Sequence, residues 1–237
     1  MKNSRVKNNG KSFLFPIIAL FSLSICAVLA LVLVGGEEVI YELQQLNFVP
    51  DEKTVCIDPG HGGSSSGATL GSRLEKDDTL RLSLLVRDIL EDRGYTVVMT
   101  RDNDSDVSLA DRCKIANKAR ASLFVSIHRN SSTSPDATGM EMWIHSSNPT
   151  DDMLLAQNIL DCLDTLNITN RGIHSGYRDG DDMNYYINRH TKMPSVLAEI
   201  DFISNKTDNK NYDKNINEYA KNIADGIELT KKKMHYS

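Results

Sequence analysis

The sequence predicts an α/β fold: a three-layer sandwich with a mainly parallel sheet flanked by helices, preceded by an N-terminal transmembrane helix. Three observations carry that expectation. After residue 53, short apolar runs alternate with stretches of helical periodicity, the pattern of strands joined by right-handed helical crossovers. With 237 residues, 40% of them apolar, the chain can bury one sizeable core, so a single globular domain over residues 54–233 is expected. An uncharged run near the start stands apart from both patterns.

Residues 1–12 carry Lys2, Arg5, Lys7 and Lys11 and no acid, and Phe13 to Val34 is a run of 22 residues without a charge. As a helix rising about 1.5 Å per residue this run would span roughly 33 Å, enough for a bilayer core of about 30 Å. It exceeds an ordinary signal-peptide core and lacks an A-x-A site, and Ile25 is too bulky for a lipoprotein site at Cys26. A retained signal-anchor over residues 13–35 is therefore favoured over a secreted form left by signal cleavage. The basic flank places residues 1–12 in the cytoplasm and the domain outside the membrane. Beyond the anchor, 27 basic residues less those four leave 23 against 32 acidic, a net charge of −9 that argues against a nucleic-acid partner.

Residues 36–53 read as a motif-free linker. Val55 to Asp58 suits an interior strand, and Pro59, Gly60, Gly62 and Gly63 stop it and leave His61 in the turn. The Ser- and Gly-rich loop SSSGATLGSRLEKDD reads as free of regular elements, returning through Glu75. Asp77 to Arg93 has helical spacing with Gly94 at its end, and Tyr95 to Thr100 is the next strand. Ser108 and Asp111 form a capping box for a helix through Ala119. That helix feeds the strand Leu123 to Ile127, which ends on His128. Gly139 to Ile144 reads as a strand, Asp151 to Leu166 as a helix, Pro194 to Ile200 as a strand, and Tyr212 to Lys233 as a closing helix.

Cys26 lies in the apolar run, and Cys56, Cys113 and Cys162 are an odd set without a CxxC. They give neither a disulfide framework nor a thiolate cage, and each reads as a small buried hydrophobe. The glycines around His61 meet neither a phosphate-loop nor a dinucleotide fingerprint. His145, His174, His190 and His235 read as surface or structural.

The chemistry gathers where strands end. His61, His128 and Glu199, the last in VLAEIDFISN, sit near the carboxyl ends of three strands, where open α/β sheets place ligands. Glu75 is the natural fourth. Two imidazoles and a carboxylate match a catalytic zinc site with an open position. That leaves Glu199, a carboxylate on an apolar strand where an unpaired charge is costly, to handle protons. Asp58 and Asn130 read either as supporting or substrate-side groups or as turn caps.

VCIDPGHGG, Glu75 fourteen positions beyond His61, LADRCKIANKARASLFVSIHRNSS and MPSVLAEIDFISN together resemble the zinc-dependent N-acetylmuramoyl-L-alanine amidases of the bacterial cell wall. The resemblance covers about residues 54 to 232. It implies a mixed six-stranded sheet, Zn2+ held by His61, Glu75 and His128, and Glu199 as the acid/base. The implied substrate is peptidoglycan, cut between N-acetylmuramic acid and L-alanine. Many relatives carry a helix that covers the metal between the second histidine and the final glutamate. No spare helix is evident in Arg129 to Ala198, so the site is expected to be open or governed by a separate activating protein. The anchored single-domain plan, with no wall-binding repeats, resembles the sporulation and germination amidases that act on spore cortex before muramic-δ-lactam forms. Two other readings stay open: a zinc peptidase cutting within the stem peptide, and a non-catalytic wall-binding protein with a vestigial site.

Overall fold

The computed structural model describes residues 48–178 and 184–234. The basic segment 1–12, the expected anchor at 13–35, Cys26, most of the linker and His235 lie outside the described residues. Among the described residues no helix is long and apolar enough to cross a membrane.

In chain order the elements are β1 (Asp51–Pro59), β2 (Thr69–Leu70), β3 (Arg73–Leu74), α1 (Glu75–Asp92), β4 (Thr96–Met99), α2 (Leu109–Ala119), β5 (Ala121–Asn130), β6 (Met140–Ile144), α3 (Thr150–Asp164), β7 (Asn170–Ser175), α4 (Tyr186–His190), β8 (Ser195–Phe202) and α5 (Lys206–Met234). Six strands form one sheet in the order β4-β1-β5-β8-β6-β7. The pairs from β4 to β8 are parallel, β6 runs antiparallel to β8, and β7 is parallel to β6. The sheet is therefore mainly parallel, as the alternation predicts, and mixed and six-stranded, as the resemblance implies.

Side-chain alternation along the central strands makes the three layers. Val55 and Ile57, Val125 and Ile127, and Val196 and Ala198 face one core with α1, α3 and α5. Cys56, Phe124 and Leu197 point the other way, onto Cys113 and Ala116 of α2 and Ile187 of α4. Helix α1 docks through Leu82, Val86 and Leu90, all fully buried and spaced every fourth residue. Truncating one of them, as in Leu82→Ala, would cost about 2–5 kcal/mol. The helix stops where Gly94 takes a φ of +85°, a left-handed conformation that glycine enters without strain. Ser108 accepts a hydrogen bond from the Asp111 amide and opens α2, as its capping box predicts.

The structure corrects several boundaries. β1 begins at Asp51, ahead of the expected domain start at 54. The Ser- and Gly-rich loop holds the short antiparallel pair β2 and β3, too brief to show any periodicity. Glu75 does not lie on that loop: it is the first residue of α1. β7 was not expected, because an edge strand with few apolar residues pairs through backbone alone. α4 has only five residues, below the reach of helical periodicity. α5 starts at Lys206 and bends at Asn215. Cys56 and Cys113 are buried and Cys162 is half-buried, all as free thiols.

Candidate metal centre

The carboxyl ends of β1, β5 and β8 fall side by side. Pro59 is the register partner of Ile127, and His128 that of Glu199. His61 follows β1 by two residues, so three strands deliver their polar groups to one rim.

His61 sits in the turn with a φ of +60°, a left-handed conformation that costs a non-glycine residue free energy unless its surroundings hold it. Two buried arginines hold it by its carbonyls. Arg112 donates to Pro59 O and to His61 O, both at 2.6 Å, and to Asp58 Oδ1 at 2.7 Å. Arg101 donates to Pro59 O at 3.0 Å and Gly60 O at 2.8 Å. The amides are held as well: Gly63 N donates to Asp104 at 2.7 Å and Ser64 N to Asp106 at 2.8 Å. Backbone crowding explains two glycines. A Cβ at Gly60 would lie 2.4 Å from the His128 ring, and one at Gly67 would lie 2.5 Å from Glu75 Oε2.

Glu75 opens α1 and is buried. Its Oε2 lies 3.2 Å from His61 Nε2 and accepts from the Ala68 amide at 2.8 Å. Its Oε1 lies 2.9 Å from His128 Nδ1 and accepts from the Arg129 amide at 3.1 Å. Burial opposes ionisation of this carboxyl, yet the bonds to His128 and His61 outweigh it and hold the pKa well below the usual carboxylate range. Burial likewise opposes a charge on His128, but Glu75 and the nearby carboxylates raise its pKa. One donor atom from each of His61, Glu75 and His128 lies within 4.8 Å of the others, close enough to share a metal ion.

Glu199 is buried beside them. Arg178 Nη2 lies 3.4 Å from its Oε1. Its Oε2 has no hydrogen-bond partner among the described residues. Burial pushes its pKa up to about 7; His128 and Arg178 pull the other way, and Glu75 and Glu141 add to the rise. Asn130 is buried and its Oδ1 accepts from the same Arg178 Nη2 at 2.6 Å, so it stands one residue removed from Glu199. Asp58 faces inward, its carboxylate taken by Thr100, Ser126 and Arg112, and acts on the site through the His61 turn.

His145, His174 and His190 stay outside the cluster. The first bonds Ser147, the second stacks on Trp143 and the third on Tyr186. Three charged residues escape the sequence reading. Arg178 is a single arginine on a Gly- and Asp-rich segment with no periodicity. Arg112 looks like one more polar position on α2. Glu141 had a usable signal, since it too is a carboxylate on an apolar strand, and it accepts from Arg171, Arg178 and Trp143. Between His128 and Glu199 the described residues hold β6, α3, β7 and α4. The cluster opens into a cleft of about 700 Å3 also lined by Arg178 and Tyr186.

Comparisons with known proteins bear on this geometry. Residues 55–229 match the family model described as N-acetylmuramoyl-L-alanine amidase. The chain is 38% identical over 160 residues to the probable cell wall amidase LytH of Staphylococcus aureus, covering 66% of this chain and 50% of that protein. It thus spans about half the length of the curated relatives it matches. Among solved structures, it resembles the catalytic domain of CwlV, an N-acetylmuramoyl-L-alanine amidase from Bacillus (Paenibacillus) polymyxa var. colistinus. That likeness has a TM-score of 0.66 at 35% identity, over 74% of this chain and 96% of the other. The CwlD amidase from Clostridioides difficile, solved in complex with the GerS lipoprotein, gives a TM-score of 0.68 at 28% identity, over 75% of this chain and 98% of the other.

Proposed function

Because the chain belongs to the N-acetylmuramoyl-L-alanine amidase family, we propose that it hydrolyses the amide between N-acetylmuramic acid and the L-alanine of the peptidoglycan stem peptide, with zinc as its metal. The observation that carries this reading is the meeting of His61, Glu75 and His128 within 4.8 Å, beside a buried carboxylate with one oxygen unpartnered among the described residues.

The donor set fits the metal. Two imidazole nitrogens and a carboxylate oxygen suit borderline-soft zinc, and three protein ligands leave a position open. The backbone amides of Ala68 and Arg129 aim Glu75, as supporting groups do around metal ligands. When bound, zinc supplies Lewis acidity toward the scissile carbonyl and toward water.

The chain's own groups do the rest. Glu199 takes the proton of the attacking water and passes it to the departing alanine nitrogen. A pKa pushed to about 7 suits both duties at neutral pH. Arg178 holds Oε1 of Glu199 and leaves Oε2 for the water.

Zinc-loaded protein incubated with peptidoglycan tests the reading by mass analysis. Free stem peptides beginning with L-alanine, with muramic acid intact, are expected. Cleavage between stem-peptide residues would instead favour a zinc peptidase. No release at full zinc occupancy, with partner proteins present, would favour a wall-binding protein.

Three finer points belong to the same proposal. The likeness to CwlD supports a role in spore cortex, tested by loss of muramic-δ-lactam on deletion of the gene. The structure of CwlD with a lipoprotein supports a separate activating partner, tested by comparing rates with and without candidates. The basic and apolar stretches at 1–35 support a membrane anchor with the domain outside, tested by protease accessibility in intact cells.

A further inference from the structure

Among the described residues six large hydrophobic side chains are exposed: Val49, Leu109, Met153, Tyr177, Tyr186 and Leu229. Their placement is uneven. Leu109 and Tyr186 both line the cleft that holds Glu199, and Tyr177 packs on Tyr185, another cleft residue, with ring centroids 4.8 Å apart. Exposed apolar surface gathered in a cleft marks a ligand contact.

The wall is rigid. Tyr186 stacks on His190, centroids 3.9 Å apart and planes 13° from parallel, while 39% of Tyr186 remains exposed. Tyr185 stands edge-on to Trp143 at 5.5 Å. Half-buried Val107 adds apolar surface beside Leu109, which is 54% exposed. The charged neighbours are committed elsewhere: Asp106 Oδ1 accepts from the amide and hydroxyl of Ser64, and Arg112 holds Asp58 and the His61 turn. The wall thus offers ring faces and methyl groups, with the exposed Asp106 carboxylate as its remaining charge.

We propose that this wall, formed by Leu109 at the start of α2 and Tyr186 of α4, is a sugar subsite on which an N-acetylated pyranose ring of the glycan strand stacks. This rests on the amidase reading, in which the scissile bond joins a glycan to a peptide, so the two must leave the centre by different routes. Ring faces and methyl groups do not match the amides and charged groups of a stem peptide. A pyranose presents an uncharged face of C–H bonds, which an aromatic ring accepts while polar edges stay in water.

The test measures binding of a peptide-free oligosaccharide of N-acetylglucosamine and N-acetylmuramic acid to the full-length protein by calorimetry. Tyr186→Ala should bind it roughly tenfold more weakly, and Tyr186→Phe should bind like the wild type. On polymeric peptidoglycan, Tyr186→Ala should raise KM and leave kcat unchanged. Failure of the wild type to bind the peptide-free glycan would overturn the subsite, as would unchanged binding by a folded Tyr186→Ala. So would a variant that loses affinity for sugar-free stem peptide instead. Binding needs no bond cleavage, so the two readings separate. Glycan binding without hydrolysis would remove the proposed reaction and leave the subsite. Hydrolysis with an indifferent Tyr186 would do the reverse.

Discussion

His128 and Glu199 are register partners in the parallel pairing of β5 with β8. Neighbouring strands lie about 4.8 Å apart, and partnered residues point to the same face. The backbone ladder of two central strands therefore sets the spacing between a proposed ligand and the proposed proton-transfer group. His61 is placed by other means, on a strained turn braced by Arg101, Arg112, Asp104 and Asp106. The centre thus has a stiff half and a braced half, and substitutions should act on them differently.

On the stiff half, Glu199→Gln keeps the shape of the side chain and removes its basicity. It should bind zinc as the wild type does and lose hydrolysis by roughly 100- to 10,000-fold. Metal analysis and release of stem peptide from peptidoglycan check the two parts separately. A fully active variant would remove Glu199 from the mechanism.

Removing a ligand should act in the opposite way. His61→Ala and His128→Ala should each lose bound zinc on purification. Both also strip Glu75 of one of the bonds that keep it ionised. Wild-type zinc content in either would show that the ion sits elsewhere.

Gly60→Ala and Gly226→Ala make a matched pair. The first pushes a Cβ to within 2.4 Å of the His128 ring, the second to within 2.5 Å of Ile159 Cα, where α5 crosses α3. Each should destabilise the domain by about 1–3 kcal/mol. Only Gly60→Ala should weaken zinc binding, by roughly 10- to 100-fold, read by competition with a chelator. Equal zinc affinity in the two would mean that His128 can shift at no cost.

How far the sequence could be read follows from the same physics. β1, β5 and β8 are central strands whose apolar runs announce them, and α1 to α3 show a buried stripe. His61 and His128 stood out because they end such strands, and Glu199 because a carboxylate interrupts one. Glu75 was harder to place. Leu74, at the N-cap, makes no side-chain capping bond, so nothing marked the start of α1 and its first residue read as loop. β7 pairs only with β6, through backbone, and carries Gly172 with a φ of +91°, so no apolar pattern was available. Arg178 and Arg112 gain their meaning from carbonyls and carboxylates far along the chain, which no local window contains.

The braced half should respond to Arg112. Arg112→Met strands the buried Asp58 charge and should cost about 3–5 kcal/mol of stability. Arg112→Lys keeps a positive charge near Asp58, but one ammonium cannot span the carbonyls of Pro59 and His61 as a guanidinium does. Urea unfolding should therefore show part of the stability restored in Arg112→Lys, while chelator competition still shows weakened zinc binding. Wild-type zinc affinity in Arg112→Lys would mean that the turn holds His61 unaided.

Asp201, two residues beyond Glu199 on β8, gives a pH prediction for stability. It is buried with a φ of +58°, accepts from the Tyr219 hydroxyl at 2.5 Å, and burial pushes its pKa up to about 6. Unfolded, the same carboxyl titrates near about 4. The folded state therefore holds the proton more tightly. The stability this carboxyl contributes is fully present below about pH 4 and is lost as pH rises through about 6. Asparagine has no charge to bury, can still accept from Tyr219, and enters the left-handed region readily. The stability of Asp201→Asn relative to wild type should accordingly rise by on the order of 2–3 kcal/mol between pH 4 and pH 7. Urea unfolding at both pH values reads this difference, and groups common to the two proteins cancel from it. A difference that stays flat with pH would show that Asp201 is ionised throughout, its charge stabilised by Tyr219 despite burial.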